Sequence, residues 1–351
     1  MRAWRHGVAV FVGSALACVA ASGPAAAVDF SGQTVAMIVG AEAGGGTDAT
    51  TRLVAPFLEK YLPGHPTVVI QNRPGASGVT ALNYIVQQTK PDGLTVIGGG
   101  NAQLSPVTYR KAHGVYDPRA LRVIGGLGRG GTVIIVNKET EKRLYDASQS
   151  PIFFGALDGN RSNEQIVFWG MEYLGWNVKV VVGYRGTNDQ SIAMERGEID
   201  MHSTANMFLV KKLMDTGRFR ILAQSGMLAD GTFKPRPDFV DVPVIGNEIK
   251  VKITDPIAKQ AFAYLESFAA TDKWLGLRDG TPDDILVAYR TAFRKMTADP
   301  EFQKRSESVA EDMAPQTPED VELLIEQMAG LTVEAQDYIR DLQRRHGLNV
   351  K

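Results

Sequence analysis

The sequence predicts an α/β protein of two lobes, each a sheet flanked by helices, and three observations support this. Apolar runs of strand length alternate with helical apolar periods through two consecutive stretches of roughly 100 residues each, the pattern of sheets covered by helices. Glycine-rich loops follow the early strands and open the helices after them, where ligands of such sheets gather. Removing the first 27 of the 351 residues leaves 324, more than a typical single domain.

Those first residues stand apart from the fold. Arg2 and Arg5 precede an uncharged apolar run from Val8 to Ala21 and then Ala25-Ala26-Ala27, the layout of a cleavable secretory signal, so residues 1–27 are expected to be removed on export. Cys18, the single cysteine, goes with them; the alternative is lipid modification at Cys18, which the preceding Ala15-Leu16-Ala17 fits poorly. Without Arg2 and Arg5 the 38 basic side chains become 36 against 39 acidic ones, a formal charge of −3 with both signs scattered. That distribution argues against nucleic acid as a partner.

The first lobe opens strand, helix, strand, helix, strand: Thr34 to Val39, Thr47 to Leu62, Thr67 to Gln71, Val79 to Thr89 and Leu94 to Ile97. Leu53, Val54, Phe57, Leu58, Tyr61 and Leu62 give the first helix one buried face, and Pro56 predicts a bend or restart within it. A second series follows: Thr132 to Val136, Ile152 to Ala156, a helix around Gln165 to Leu174, Val178 to Val182, a helix around Asp189 to Arg196, Ile199 to Met201, a helix around Met207 to Thr216, and Arg220 to Ala223. Alternation of this kind predicts parallel sheets. The last third reads as mainly helical, with Thr281-Pro282-Asp283-Asp284 and Thr317-Pro318-Glu319-Asp320 as helix starts carrying a hydroxyl cap. The expected division is residues 28–127 with 224–351 as the first lobe and 128–223 as the second. The crossings fall near Gly125 to Gly131 and Ala223 to Gly226.

Gly44-Gly45-Gly46-Thr47-Asp48, between the first strand and helix, is the sharpest motif, and Asn72-Arg73-Pro74-Gly75-Ala76-Ser77-Gly78 repeats its grammar after the second strand. Backbone N–H groups at a helix N-terminus have no internal acceptor and carry the positive end of the macrodipole, so both loops suit an anion. Enzyme chemistry lacks its parts. There is no Gly-x-Ser-x-Gly elbow, no Gly-Lys-Ser/Thr after a glycine loop and no paired histidine at helical spacing. His65, His113, His202 and His346 are isolated and read as surface or hydrogen-bonded core residues. Met171, Met194, Met201, Met207 and Met214 read as core.

Taken in order, these loops resemble the solute-binding proteins of tripartite tricarboxylate transporters, the Bug receptor family. Gly183-Tyr184-Arg185-Gly186-Thr187 is similar to that family's Pro-Tyr-Lys-Gly-Ser segment, and Arg196-Gly197-Glu198-Ile199-Asp200 to its Gly-Glu-Val-Asp. Pro237-Asp238-Phe239-Val240-Asp241-Val242-Pro243 resembles its Pro-Asp-Val-Pro turn, and Gly280-Thr281-Pro282 its Gly-Thr-Pro helix start. The resemblance implies a periplasmic receptor of the Venus-flytrap type, without catalysis or cofactor. Its partners would be a small carboxylate ligand and inner-membrane transporter subunits, and the chain is expected to be a monomer. It implies ligand contacts at Ala43, Gly44, Thr47, Asp48, Gly75, Ala76, Ser77 and Asn101 in the first lobe, and at Gly159, Asn160, Ser162, Tyr184, Arg185, Gly186, Thr187 and Asp200 in the second. Plainer roles stand beside some of these: Asp48 as an acid at a helix N-terminus, Tyr184 at a core edge, Asp200 opening a turn.

Two departures bear on the ligand. The family's Pro-Phe-Pro-Pro-Gly-Gly loop is here Gly40-Ala41-Glu42-Ala43-Gly44-Gly45, and its Gly-x-Gly-Ser/Thr segment is Leu157-Asp158-Gly159-Asn160-Arg161-Ser162-Asn163. Glu42 and Asp158 would repel a dianion unless Arg161 or Arg185 offsets them, so the expected ligand is zwitterionic or singly charged, with Glu42 or Asp158 taking its cation. The alternatives to a transport receptor are an exported cleft hydrolase or isomerase, and a receptor feeding a sensor protein.

Overall fold

The computed structural model describes residues 28–157, 159, 161–310 and 313–348, so the expected signal peptide, Cys18, Asp158 and Asn160 lie outside the described residues. The strands are β1 (Thr34–Val39), β2 (Thr67–Asn72), β3 (Thr95–Gly100), β4 (Arg122–Arg129), β5 (Val133–Asn137), β6 (Ile152–Gly155), β7 (Val178–Val181), β8 (Met201–Thr204), β9 (Phe219–Gln224), β10 (Met227–Ala229), β11 (Thr232–Lys234), β12 (Lys273–Leu277) and β13 (Met313–Gln316). The helices are α1 (Gly46–Tyr61), α2 (Val79–Gln88), α3 (Pro106–Lys111), α4 (Ser162–Tyr173), α5 (Thr187–Arg196), α6 (Met207–Asp215), α7 (Ile245–Lys250), α8 (Pro256–Ala270), α9 (Asp283–Thr297), α10 (Pro300–Ser306), α11 (Pro318–Ala329) and α12 (Val333–Arg345). One sheet runs β13-β4-β12-β3-β1-β2 and the other β7-β6-β8-β5-β9, with β10 and β11 as a separate hairpin.

The expected elements of the first two thirds are present, with the Ile199 to Met201 strand displaced to Met201–Thr204. The sheets are mixed rather than parallel. β1, β2 and β3 run together, but β12 inserts antiparallel between β3 and β4, and β13 pairs antiparallel with β4. In the second sheet β6 is parallel to β7 and β8, while β5 is antiparallel to β8 and β9. The reason is the connection: β5 follows β4 directly across the gap between the sheets and so runs away from it, opposite to β6, β7 and β8.

α1 runs unbroken through Pro56, against the expected bend. Pro56 is exposed, so its ring projects from the solvent face and water can hydrate the carbonyl its missing N–H leaves free. The two late helix starts are where the sequence put them, and Thr317 accepts a hydrogen bond from the Asp320 N–H as a cap. Thr281 does not cap α9, because its hydroxyl donates to the Arg278 carbonyl instead.

Apolar faces set the packing. α1 and α10 lock under the first sheet, with Phe57 edge-on to Phe302 at 5.2 Å. The largest core joins residues of both sheets through α8, α11 and α12, and Trp169 of α4 lies 4.8 Å from Phe262 of α8. The last helix also grips α4, through a Tyr173–Tyr338 hydroxyl pair at 2.6 Å and through Arg345 and His346 on Glu172. The two crossing segments touch each other: Ser225 N–H donates to the Thr132 carbonyl at 2.8 Å, and Thr132 N–H donates to the Ser225 hydroxyl at 2.9 Å.

Candidate functional site

β1, β2 and β3 all end at one edge of the first sheet, which brings the two glycine loops and Asn101 together. Gln103 ties them: its Oε1 accepts from Gly100 N–H at 2.9 Å and its Nε2 donates to the Gly78 carbonyl at 3.0 Å. A Cβ at Gly40 would sit 2.7 Å from the Gly78 Cα, so only glycine permits this approach of the loops. Ala76 and Ser77 hold φ of 48° and 55°, a left-handed conformation that costs non-glycine residues about 1–3 kcal/mol each and clusters at ligand sites. No side chain among the described residues caps α1, so its first-turn N–H groups stay available, whereas at α2 the Val79 N–H already donates to the Ala76 carbonyl.

Asp48 explains why the first loop keeps its shape. Buried to 1% exposure, it accepts from Arg52 Nε at 2.8 Å, Gly44 N–H at 2.8 Å and Asn72 Nδ2 at 2.9 Å. The Arg52 guanidinium, with those two further donors, holds its carboxyl at about 2. The expected ligand roles of Asp48 and of the Gly44 N–H are thus taken up inside the loop, and Ala43 and Ala76 stand outside the pocket it frames.

That pocket, about 380 Å³, does gather Glu42, Thr47, Gly75, Ser77 and Asn101 as the sequence implied. It also contains a residue the sequence reading missed, Lys273, the first residue of β12. The Thr47 and Ser77 hydroxyls have no histidine or carboxylate hydrogen-bonded to them among the described residues, so neither is set up as an activated nucleophile.

The second-sheet loops are arranged differently from expectation. Glu164, fully buried, accepts the N–H groups of Leu157 at 2.7 Å and Gly159 at 2.8 Å, and Gln343 of α12 donates to the Gly159 carbonyl at 2.9 Å. An internal carboxylate therefore occupies the backbone donors that the resemblance assigned to a ligand at Gly159. Arg161 is exposed at the start of α4. Ser162 and Asn163 line a smaller cavity of about 50 Å³ between the sheets, with Arg129, Thr132 and Ser225 of the crossing region. Tyr184 packs its ring over Gly155 and joins the core edge, as its plainer reading had it. Arg185 is 89% exposed and pairs with Asp189 at 2.8 Å, while Gly186 and Thr187 open α5. None of these four lines either cavity.

Asp200 lies at the opposite end of its strand from the cleft. It accepts from Phe153 N–H at 2.8 Å and Arg143 at 3.0 Å, so it braces β8 against β6. His202, one strand position beyond Met201, is fully buried with no hydrogen-bond partner at either ring nitrogen, and burial pushes its pKa down to about 4. The sequence reading had expected a partner there. Among the described residues no group of three or more His, Cys, Asp or Glu side chains is placed to hold a metal, and no helix is long and apolar enough to cross a membrane.

Two helix-flanked α/β sheets joined by crossing segments form the two-lobed architecture of periplasmic binding proteins. The chain belongs to the tripartite tricarboxylate transporter family receptors (TctC), whose family model matches residues 51–255. It is similar to an unliganded TctC solute-binding protein from Polaromonas, at 18% identity over 89% of this chain and 98% of that one, with a TM-score of 0.66. It is also similar to R. palustris Rpa4515 solved with adipate, at 20% identity over 91% of this chain and 99% of that one, TM-score 0.51. At these identities both structures speak to the fold. A UPF0065 protein in the gbd 5′ region of Cupriavidus necator is 36% identical over 106 residues, and the match spans 30% of each chain. The family and the fold relatives are receptors and binding proteins rather than enzymes.

Proposed function

We propose that this chain is a periplasmic receptor that closes its two lobes on a small organic acid and delivers it to an inner-membrane transporter of the tripartite tricarboxylate type. The observation that carries the reading is that the uncapped N-terminus of α1 and the glycine loop before α2 line one pocket of small-molecule size. Adipate in the R. palustris relative fits a carboxylate there. The lobes are residues 28–127 with 224–351, and 128–223. Ligand held by both favours the closed arrangement, and the lobes shift population about the crossing segments. Ser162 and Asn163 are the second lobe's contacts, in place of the Gly159 backbone that Glu164 occupies.

A thermal-shift screen of the mature protein against mono-, di- and tricarboxylates, aromatic acids and amino acids tests this. A ligand that binds only the folded state, at 100 times its dissociation constant, adds about 2.7 kcal/mol. At least one acid is expected to raise the melting temperature by several degrees; no shift with any of them would overturn the reading.

A further inference from the structure

Lys273 begins β12, a short strand that enters the first sheet between β3 and β4, and its register places it directly opposite Gly100 on one side and Leu127 on the other. Residues directly opposite in an antiparallel pair project from the same face. A Cβ built on Gly100 would point to within 3.5 Å of the Thr47 hydroxyl, so the Lys273 stem rises on the face where the first turn of α1 meets the sheet. Its side chain is only 17% exposed, and it lines the loop pocket.

The ammonium has three donors, of which Asp272 takes one. Asp272 also accepts from Arg129 Nε at 3.0 Å. One carboxylate therefore serves two cations, and this ledge keeps one positive charge in surplus. The α1 N-terminus, whose Thr47 lines the pocket, adds roughly half a charge. Glu42, across the pocket, subtracts one. The sum is roughly half a positive charge.

Resting on the receptor reading above, we infer that Lys273 is the charged anchor of the ligand's carboxylate and that, balanced by Glu42, it sets the pocket for an acid of net charge −1 rather than a dianion. Backbone donors alone would leave the pocket's charge preference to partial dipoles. A point charge on a strand fixes where the anion sits, and Glu42 supplies the repulsive element that discriminates against a second carboxylate.

Isothermal calorimetry at pH 7 with hexanoate and adipate, which share a six-carbon chain and differ in charge, tests the inference. The wild-type chain is expected to bind hexanoate several-fold more tightly than adipate. Lys273→Met weakens hexanoate at least tenfold, Lys273→Arg restores most of that loss, and Glu42→Gln improves adipate at least threefold. Unchanged melting temperatures in the three variants separate these effects from damage to the fold. Hexanoate binding by Lys273→Met within threefold of wild type overturns the anchor. A wild-type preference for adipate that Glu42→Gln leaves unaltered overturns the charge assignment. Binding of neither probe overturns the inference while the receptor reading stands or falls with the wider acid screen.

Discussion

His202 makes the second lobe acid-sensitive in a window where the carboxylates do not. It sits on β8 directly opposite Ile135, on the face packed against α5 and α6, with no partner for either ring nitrogen. Burial lowers its pKa from 6.5 to about 4, so the folded state refuses a proton that the unfolded chain accepts. Above pH 6.5 both states are neutral and the residue is silent. Below it, stability falls by about 1.4 kcal/mol per pH unit until the folded pKa is reached, about 3 kcal/mol in all. Glu266 acts in the opposite sense: burial raises its carboxyl, with Lys250 offsetting part of the effect, so in its own range the folded state takes up a proton first. His202→Leu isolates the histidine, since it keeps the volume and removes two orphaned polar atoms. Urea unfolding read by tryptophan fluorescence should show wild type losing about 2 kcal/mol between pH 6.5 and 5, and the variant losing little. The histidine C2 proton of His202 should not titrate above pH 5 by NMR. Parallel losses in both proteins, or a titration near 6.5, would refute the reasoning.

Glu164→Ala strips the acceptor from two backbone N–H groups and should cost roughly 3 kcal/mol in denaturant unfolding, with Glu164→Gln losing less because one oxygen remains; a loss under 0.5 kcal/mol for Ala contradicts the clamp. Hydrogen exchange at Leu157 and Gly159 should accelerate in the same variant. Asp48→Ala removes three donors' common acceptor and should cost about 3 kcal/mol. Because the folded carboxyl is depressed, the contribution of Asp48 is fully present above pH 3.8 and is lost as pH falls toward 2. An acid unfolding curve that is identical in Asp48→Ala and wild type would remove it from that role.

The glycine loops, the alternation of strands and helices, and Asn101 at the tip of β3 were readable because each depends on neighbours in sequence: an apolar run, then a turn, then a helical period. Lys273 was not. Its strand is five residues long after a fifteen-residue helix, in a stretch dominated by helical pattern, and its place in the pocket comes from topology, the insertion of β12 between strands separated from it by well over a hundred residues. The Trp274-Leu275-Gly276-Leu277 run before Gly280 was the available signal. Asp200 misled for the reverse reason. Its strand begins two residues later than the apolar pattern suggested, which leaves the acid just before the strand, at the end facing away from the cleft. Glu164 shows a further limit, since a carboxylate seven residues from the amide it satisfies leaves no periodic trace.

The crossing segments are held to each other as well as to the sheets. Gly131, at φ of 86°, lies so close to the other segment that a Cβ would meet the Gly226 carbonyl at 2.5 Å and the Ser225 hydroxyl at 2.7 Å. On the receptor reading, two strands in such contact cannot rotate separately, and an added methyl group there acts as a wedge. Because apparent affinity scales with the fraction of molecules able to close, Gly131→Ala would change how tightly every ligand is held by the same factor, without touching any of them. Selectivity would then reside in the pocket, and the working concentration range of the receptor in a pair of glycines behind it.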